Sequence, residues 1–143
     1  MASQGGNHVA ETPILAQQFR IYNVIDVVRA RRNGLNIALK MGFHPAEANK
    51  VAVVISELGR NIEQYARTGM ITVTAYPDRI QIVAEDHGPG IPDVERVLAG
   101  GYTTSQGMGL GISGSRRLMD DFEIDSKVGE GTKITAVKRK QPY

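Results

Sequence analysis

Glu57 and Asn61 stand four residues apart in Ser56-Glu57-Leu58-Gly59-Arg60-Asn61, a stretch whose apolar residues have helical spacing. One helical turn separates them, on the flank of the apolar stripe rather than under it. A carboxylate and an amide placed so offer oxygen donors of the kind magnesium accepts, with room for a water or hydroxyl between them. Two ordinary polar helix residues would look the same. Asp86-His87-Gly88-Pro89-Gly90-Ile91-Pro92 follows an alternating apolar run. Its carboxylate can accept from an exocyclic amine such as adenine's, and Gly88 and Gly90 let backbone approach a ligand. A tight turn uses the same residue types. His87 could donate a proton or simply be solvated, and His8 and His44 are too scattered to form a metal set with it.

A G-x-G-x-x-G pattern runs from Gly109 to Gly114, but the polar residues before it, Gly101-Tyr102-Thr103-Thr104-Ser105-Gln106, make no strand. A dinucleotide fold is therefore excluded on context, and a P-loop is excluded for want of G-K-[ST]. What remains is a glycine loop feeding a helix N-terminus, where free N–H groups attract phosphate. Gly129-Glu130-Gly131-Thr132, taken alone, is a hairpin turn.

These residues must be positioned by one domain. The chain has 143 residues, 41% hydrophobic and 22% charged, ordinary usage for a folded protein with a single core. Val51, Ile55, Leu58, Ile62 and Tyr65 step by four, three, four and three, and Pro45 suits the first turn of that helix. An earlier helix is expected from an N-cap at Asp26 through Val27, Val28, Leu35, Ile37, Ala38 and Leu39 to Gly42. Ile71, Val73 and Ala75 alternate, Pro77-Asp78 turns, and Ile80, Ile82 and Ala84 alternate again, which reads as a hairpin. A short helix over 92–98, a mobile glycine-rich loop over 99–111, a helix over 112–119 and two strands around Gly129–Gly131 complete the chain. This order is α+β, with a mixed, mostly antiparallel sheet and helices on one face, a two-layer sandwich. Residues 1–18 read as a flexible extension and residues 19–140 as the domain.

The net charge of +2 and the scattered basic residues do not make a nucleic-acid footprint. Zero Cys excludes disulfides, Cys–zinc sites and thiol catalysis. No apolar run approaches 18 residues and no secretory signal opens the chain, so a soluble, cytoplasmic protein without membrane or nucleic-acid partners is expected.

In order, Ser56–Asn61, Asp86-His87-Gly88-Pro89-Gly90, Gly107-Met108-Gly109-Leu110-Gly111 and Gly131-Thr132 resemble the four boxes of the GHKL ATPase fold, over roughly residues 19–138. With Arg116-Arg117-Leu118-Met119-Asp120, the wording is closest to the stressosome switch kinases, a branch of the anti-sigma regulatory serine kinases. The resemblance implies binding of ATP with Mg²⁺. Asp86 would accept from the adenine amine, with Gly88, Gly90 and Thr132 near the base, and Asn61 would bind the metal. Gly107, Gly109 and Gly111 would cover the phosphates, and Glu57 would be the general base for a serine hydroxyl. Where histidine kinases usually carry a phosphate-reaching Lys, this chain has Gln64, which shifts the phosphate charge onto magnesium and backbone amides. The implied substrate is a serine of a STAS-domain antagonist, with later release to activate a PP2C-type phosphatase. Two alternatives stand beside this: an anti-sigma factor kinase that sequesters a sigma factor, and a nucleotide-sensing module without transferase activity.

Overall fold

The stripe of Val51, Ile55, Leu58 and Ile62 is what the second helix buries, and the rest of the fold is arranged around that burial. In the computed structural model, residues 12–100 and 111–142 are described. The elements run β1 (Leu15–Ile21), α1 (Val24–Lys40), α2 (Pro45–Asn61), a π-helical turn (Ile62–Ala66), β2 (Gly69–Ala75), β3 (Arg79–Asp86), α3 (Val94–Ala99), α4 (Gly111–Leu118), β4 (Asp121–Lys127) and β5 (Gly131–Arg139). The strands form one sheet in the order β1-β2-β3-β5-β4, and every pairing is antiparallel. Helices α1 and α2 cover one face. Ile71, Val73, Ile80, Ile82, Ile134 and Ala136 point into that layer and meet Val51, Val54, Ile55 and Leu58, all nearly inaccessible to solvent. The other face carries exposed Gln18, Arg20, Glu85, Lys133 and Glu123. The two-layer α+β architecture expected from the sequence is the one observed.

Two boundaries differ from expectation. The first strand opens at Leu15 rather than near Phe19, pairing Leu15 with Ala75 through Ile21 with Gly69. It is an edge strand, exposed over its first four residues, so Ala16-Gln17-Gln18 shows no apolar alternation to betray it. Helix α1 starts before Asp26. Asn23 is the N-cap, its Oδ1 accepting from the Asp26 N–H at 3.1 Å, while Asp26 Oδ2 accepts from the Asn23 N–H at 3.3 Å. Asp26 is thus the third helical residue of a capping box. Pro45 does stand in the first turn of α2, where His44 Nδ1 accepts from the Ala46 N–H at 3.3 Å.

Lys138 fixes the open end of α2 to the sheet. Its side chain is 8% exposed, and its ammonium reaches Glu47 Oε1 at 3.1 Å and donates to Leu118 O at 3.0 Å. Glu47 Oε2 also pairs with Lys50 at 3.0 Å. Hydrogen bonds from Lys50 and then Lys138 hold the Glu47 carboxyl below its ordinary value of 4.5. A depressed carboxyl adds stability that is complete above the unfolded-state value and lost as pH falls through the folded one. Glu47→Gln is expected to cost on the order of 1–2 kcal/mol at neutral pH, because it leaves the Lys138 charge half-compensated. Melting temperatures of parent and variant should differ near pH 7 and converge as pH falls below about 4. A constant difference across that range would show that the pair's charge is not what Glu47 contributes.

Candidate functional site

Register alone gathers the site at one end of the sheet. Gly69 is paired with Asp86, Asp86 with Thr132, and Thr132 with Ser126. Residues directly opposite one another share a face, and two residues along each strand lie the core residues Ile71, Ala84, Ile134 and Ile124. Asp86, Thr132 and Ser126 therefore form a polar row on the helix-covered face, beyond the last apolar row. All three are half-buried.

The Asp86 carboxylate is oriented by its own loop. Oδ1 accepts from the Gly88 N–H at 2.8 Å, and Oδ2 takes no hydrogen bond from the described residues. Gly88 lies flush on the π-helical turn: a Cβ there would meet the Ala66 Cβ at 2.7 Å. Gly131, with φ of +133°, lets β5 start directly against β3, since any side chain would collide with the Asp86 carbonyl oxygen. Ser126 ties the loop down from the far side. Its Oγ accepts from the Ile91 N–H at 2.8 Å, donates to Gly131 O at 3.1 Å, and lies 2.8 Å from Thr132 Oγ1. With the single Ser126 proton on Gly131 O, Thr132 is the donor in that last bond and keeps lone pairs for a ligand.

The helical side is built by α2. Its last residue, Asn61, is half-buried and immediately precedes the π-helical turn that touches Gly88. Such turns are common beside functional residues because they shift the register of the helix face. Arg67 closes it at φ of +76° and ψ of −48°, a sparsely populated region that costs a residue with a Cβ about 1–3 kcal/mol. One turn back from Asn61, Glu57 Oε1 accepts from the Gly111 N–H at 3.1 Å, so its carboxylate sits at the head of α4. Gly111 thus meets Glu57 one turn before Asn61, and the turn after Asn61 touches the loop of Gly88, which holds Asp86 beside Thr132. Gly90 belongs to the same loop, backed by the Lys127 carbonyl. Gly107 and Gly109 lie outside the described residues.

Sequence reasoning missed two parts of this. Ser126 had one signal, a hydroxyl at the inward position that continues Phe122 and Ile124 along β4. The Glu57–Gly111 bond had none, since it spans 54 residues. An open depression lined in part by Glu85, Asp125 and Lys133 also occurs at this end. Register puts those three side chains in one row on the outer face, across the sheet from the polar row of Asp86. Asp86, Gly131 and Thr132 line the depression as well, so it adjoins the polar row at this end of the sheet.

The residues fit a purine nucleotide and a magnesium ion. An oriented carboxylate with a free Oδ2, bordered by Ala84 and Ile134, suits an aromatic base carrying an amine. Among the described residues, no group of three or more His, Asp or Glu could hold a metal. The Asn61 amide is one oxygen ligand, so a metal here would take most of its remaining ligands from phosphate and water, which is the way magnesium usually binds.

Replacing Ser126 by Ala leaves the Ile91 N–H and the Thr132 hydroxyl without their partner. A loss of about 1–2 kcal/mol in stability is expected, with severalfold weaker nucleotide binding. Urea unfolding with and without nucleotide measures both, and an unchanged midpoint would remove Ser126 from the site's support.

Known proteins resemble the chain in sequence. The family described as histidine kinase-, DNA gyrase B- and HSP90-like ATPase matches residues 46–142. The chain is 45% identical over 123 residues to serine/threonine-protein kinase RsbT of Bacillus subtilis (strain 168), covering 83% of this chain and 92% of that protein. It is 30% identical over 100 residues to the anti-sigma F factor of Caldanaerobacter subterraneus subsp. tengcongensis, covering 64% and 70% of the two chains. It is 32% identical over 101 residues to the anti-sigma F factor of Bacillus licheniformis, covering 64% and 69%.

Proposed function

The chain belongs to the histidine kinase-, DNA gyrase B- and HSP90-like ATPase family, and from that premise we propose that it is the ATP-dependent protein-serine kinase of a partner-switching pair. Its substrate on this reading is a serine of a STAS-domain antagonist. Phosphorylation releases the kinase to activate a PP2C-type phosphatase. The observation that carries the reading is Glu57, a carboxylate fixed by the Gly111 N–H one turn before the Asn61 amide, a residue that nucleotide binding alone does not require.

Each residue then has a task. Asp86 Oδ2 accepts from the base amine while Oδ1 stays on Gly88, and Thr132 borders the base. Asn61 would hold Mg²⁺, which when bound neutralises phosphate charge. By the family resemblance Gly107 and Gly109, with Gly111, would cover the phosphates. Glu57 accepts the proton of the incoming serine hydroxyl through Oε2 as the serine O–P bond forms. The bond from the γ-phosphorus to ADP breaks, and ADP leaves with its electron pair. Positioning and charge neutralisation dominate such a transfer, and the base adds to them. The domain that does this is 19–140 extended back to Leu15, where its sheet begins. Among the described residues, no helix is long and apolar enough to cross a membrane. We place the activity in the cytoplasm, where ATP and such partners meet.

Incubation with γ-labelled ATP, Mg²⁺ and a purified STAS-domain protein of the same organism tests the reading. Label on a serine of that protein is expected. No transfer, with ATP bound normally, would leave only a nucleotide-sensing module. The similarity to anti-sigma F factors supports a second reading, in which the same kinase sequesters a sigma factor. A tight stoichiometric complex with a purified sigma factor would establish it.

A further inference from the structure

Lys138 stands where the fold calls for an apolar residue. It pairs with Ile80 and follows Ala136 by two positions, so its side chain enters the helix-covered layer, and it is buried there. A buried ammonium costs free energy unless oxygens surround it. Here Nζ lies 3.1 Å from Glu47 Oε1, donates to Leu118 O at 3.0 Å and stands 3.9 Å from Asp120 Oδ1. An apolar side chain of the same size is often no less stable in such a place, so stability alone does not call for a lysine. What the lysine adds is a junction between the first turn of α2, the last carbonyl of α4 and the residues leading into β4. Asp120 is itself held on β5, its N–H donating to Val137 O at 2.8 Å and its Oδ2 accepting from the Arg139 N–H at 2.6 Å.

The element that gains most is α4. Gly111-Ile112-Ser113-Gly114-Ser115-Arg116-Arg117-Leu118 is rich in poor helix formers, and at 8 residues it is too short to hold its shape alone. A cation on Leu118 O also stands at the negative end of its dipole. Both ends of α4 rest on α2. The head N–H, on Gly111, meets Glu57 Oε1 at 3.1 Å, and the tail carbonyl reaches Glu47 through Lys138. Glu47 and Glu57 lie about 15 Å apart along α2, and α4 is about 12 Å long, so α4 runs antiparallel to α2 and is pinned at head and tail. Two helical turns pass a shift at the tail on to the head.

We propose that Lys138 is a positioning residue for phosphate transfer. By fixing the tail of α4 it keeps the Gly111 N–H on Glu57 Oε1, which leaves Oε2 turned towards the serine hydroxyl. Lys138 lies about 20 Å along β5 from Thr132, too far to touch the nucleotide, and acts through α4 alone. Its effect on transfer rests on the kinase reading of Glu57; its hold on Gly111 does not.

Lys138→Met keeps the length of the side chain and removes the ammonium. Single-turnover transfer of labelled phosphate to a purified STAS-domain protein should fall about 10–100-fold, the cost of moving a reacting group by a fraction of an ångström to one ångström. Calorimetric ATP affinity should stay within about threefold of the parent, because the base pocket is built at the other end of the sheet. Exchange of the Gly111 amide with deuterium, followed by NMR, should quicken at least about tenfold. Val73→Ala truncates a core residue of β2 away from α4. It lowers stability, yet should leave transfer and Gly111 exchange within about threefold of the parent. Parental transfer by folded Lys138→Met, unchanged Gly111 exchange, or equal losses in Val73→Ala would overturn the proposal. So would failure of both Lys138→Met and Lys138→Gln to fold, which would make the lysine a structural requirement only. A parent that transfers nothing would overturn the kinase reading, and the role in transfer with it, while Gly111 exchange still reports whether Lys138 holds α4.

Discussion

Glu57→Gln is expected to slow transfer of phosphate to the partner serine by about 10²–10⁴-fold while leaving Mg-ATP affinity within about threefold of the parent. The separation follows from the two oxygens of this side chain. Oε1 accepts from the Gly111 N–H at 3.1 Å. A glutamine carbonyl can accept the same bond, so the link between α2 and the head of α4 survives. What disappears is the second carboxylate oxygen, which the mechanism needs as a proton acceptor. A serine hydroxyl is a poor nucleophile and must lose its proton as the new bond forms, and an amide cannot take it. Glu57→Ala is the informative contrast, since it removes the Gly111 acceptor as well and should also lower stability by about 1 kcal/mol. Single-turnover transfer with labelled ATP, alongside calorimetric ATP binding, reads both effects. Transfer by Glu57→Gln within about threefold of the parent would make the residue a bystander to chemistry. Lost ATP binding in the same variant would make it structural.

What the sequence could reveal of this site was local, and what it hid was long-range. The α2 pattern and the hairpin around Pro77-Asp78 were legible because period and turn chemistry lie within a few neighbours. Asn61, Asp86 and Thr132 could each be named from short patterns in order. The ties that bring them together join residues 54 apart in Glu57–Gly111 and 35 apart in Ile91–Ser126, and no window of sequence contains either pair. The π-helical turn after Asn61 was hidden for another reason. It lasts five residues, too few to displace an apolar period that Val51 to Ile62 had already set. In α1, Val28, Leu35 and Leu39 read as one apolar set with Val27, Ile37 and Ala38. Only the packing of α2 and the sheet against one side separates the buried set from exposed Val28 and Leu39.

Asp86→Asn is expected to weaken ATP binding by about 1.5–3 kcal/mol, roughly 10–150-fold, in a protein that still folds. The carboxylate is asked to accept twice: Oδ1 from the Gly88 N–H at 2.8 Å, and Oδ2 from the amine of the base. An amide has one acceptor and one donor group at those two places. If its oxygen stays on Gly88, its NH₂ faces the base amine, donor against donor. If it flips, its NH₂ faces the Gly88 N–H and the loop that carries Gly88 and Gly90 loses its anchor. Either orientation gives up one charge-assisted bond. The same logic sets a selectivity test. Inosine triphosphate presents an oxygen where ATP presents the amine, so the parent should bind it poorly, its oxygen facing a carboxylate. In the first amide orientation that oxygen meets a donor, so the preference for ATP over inosine triphosphate should shrink in Asp86→Asn by more than ATP affinity alone falls. Calorimetry with both nucleotides on both proteins measures the ratio. A folded variant with parental ATP affinity would take Asp86 out of the base pocket, and an unchanged ratio would mean that it binds without reading the amine.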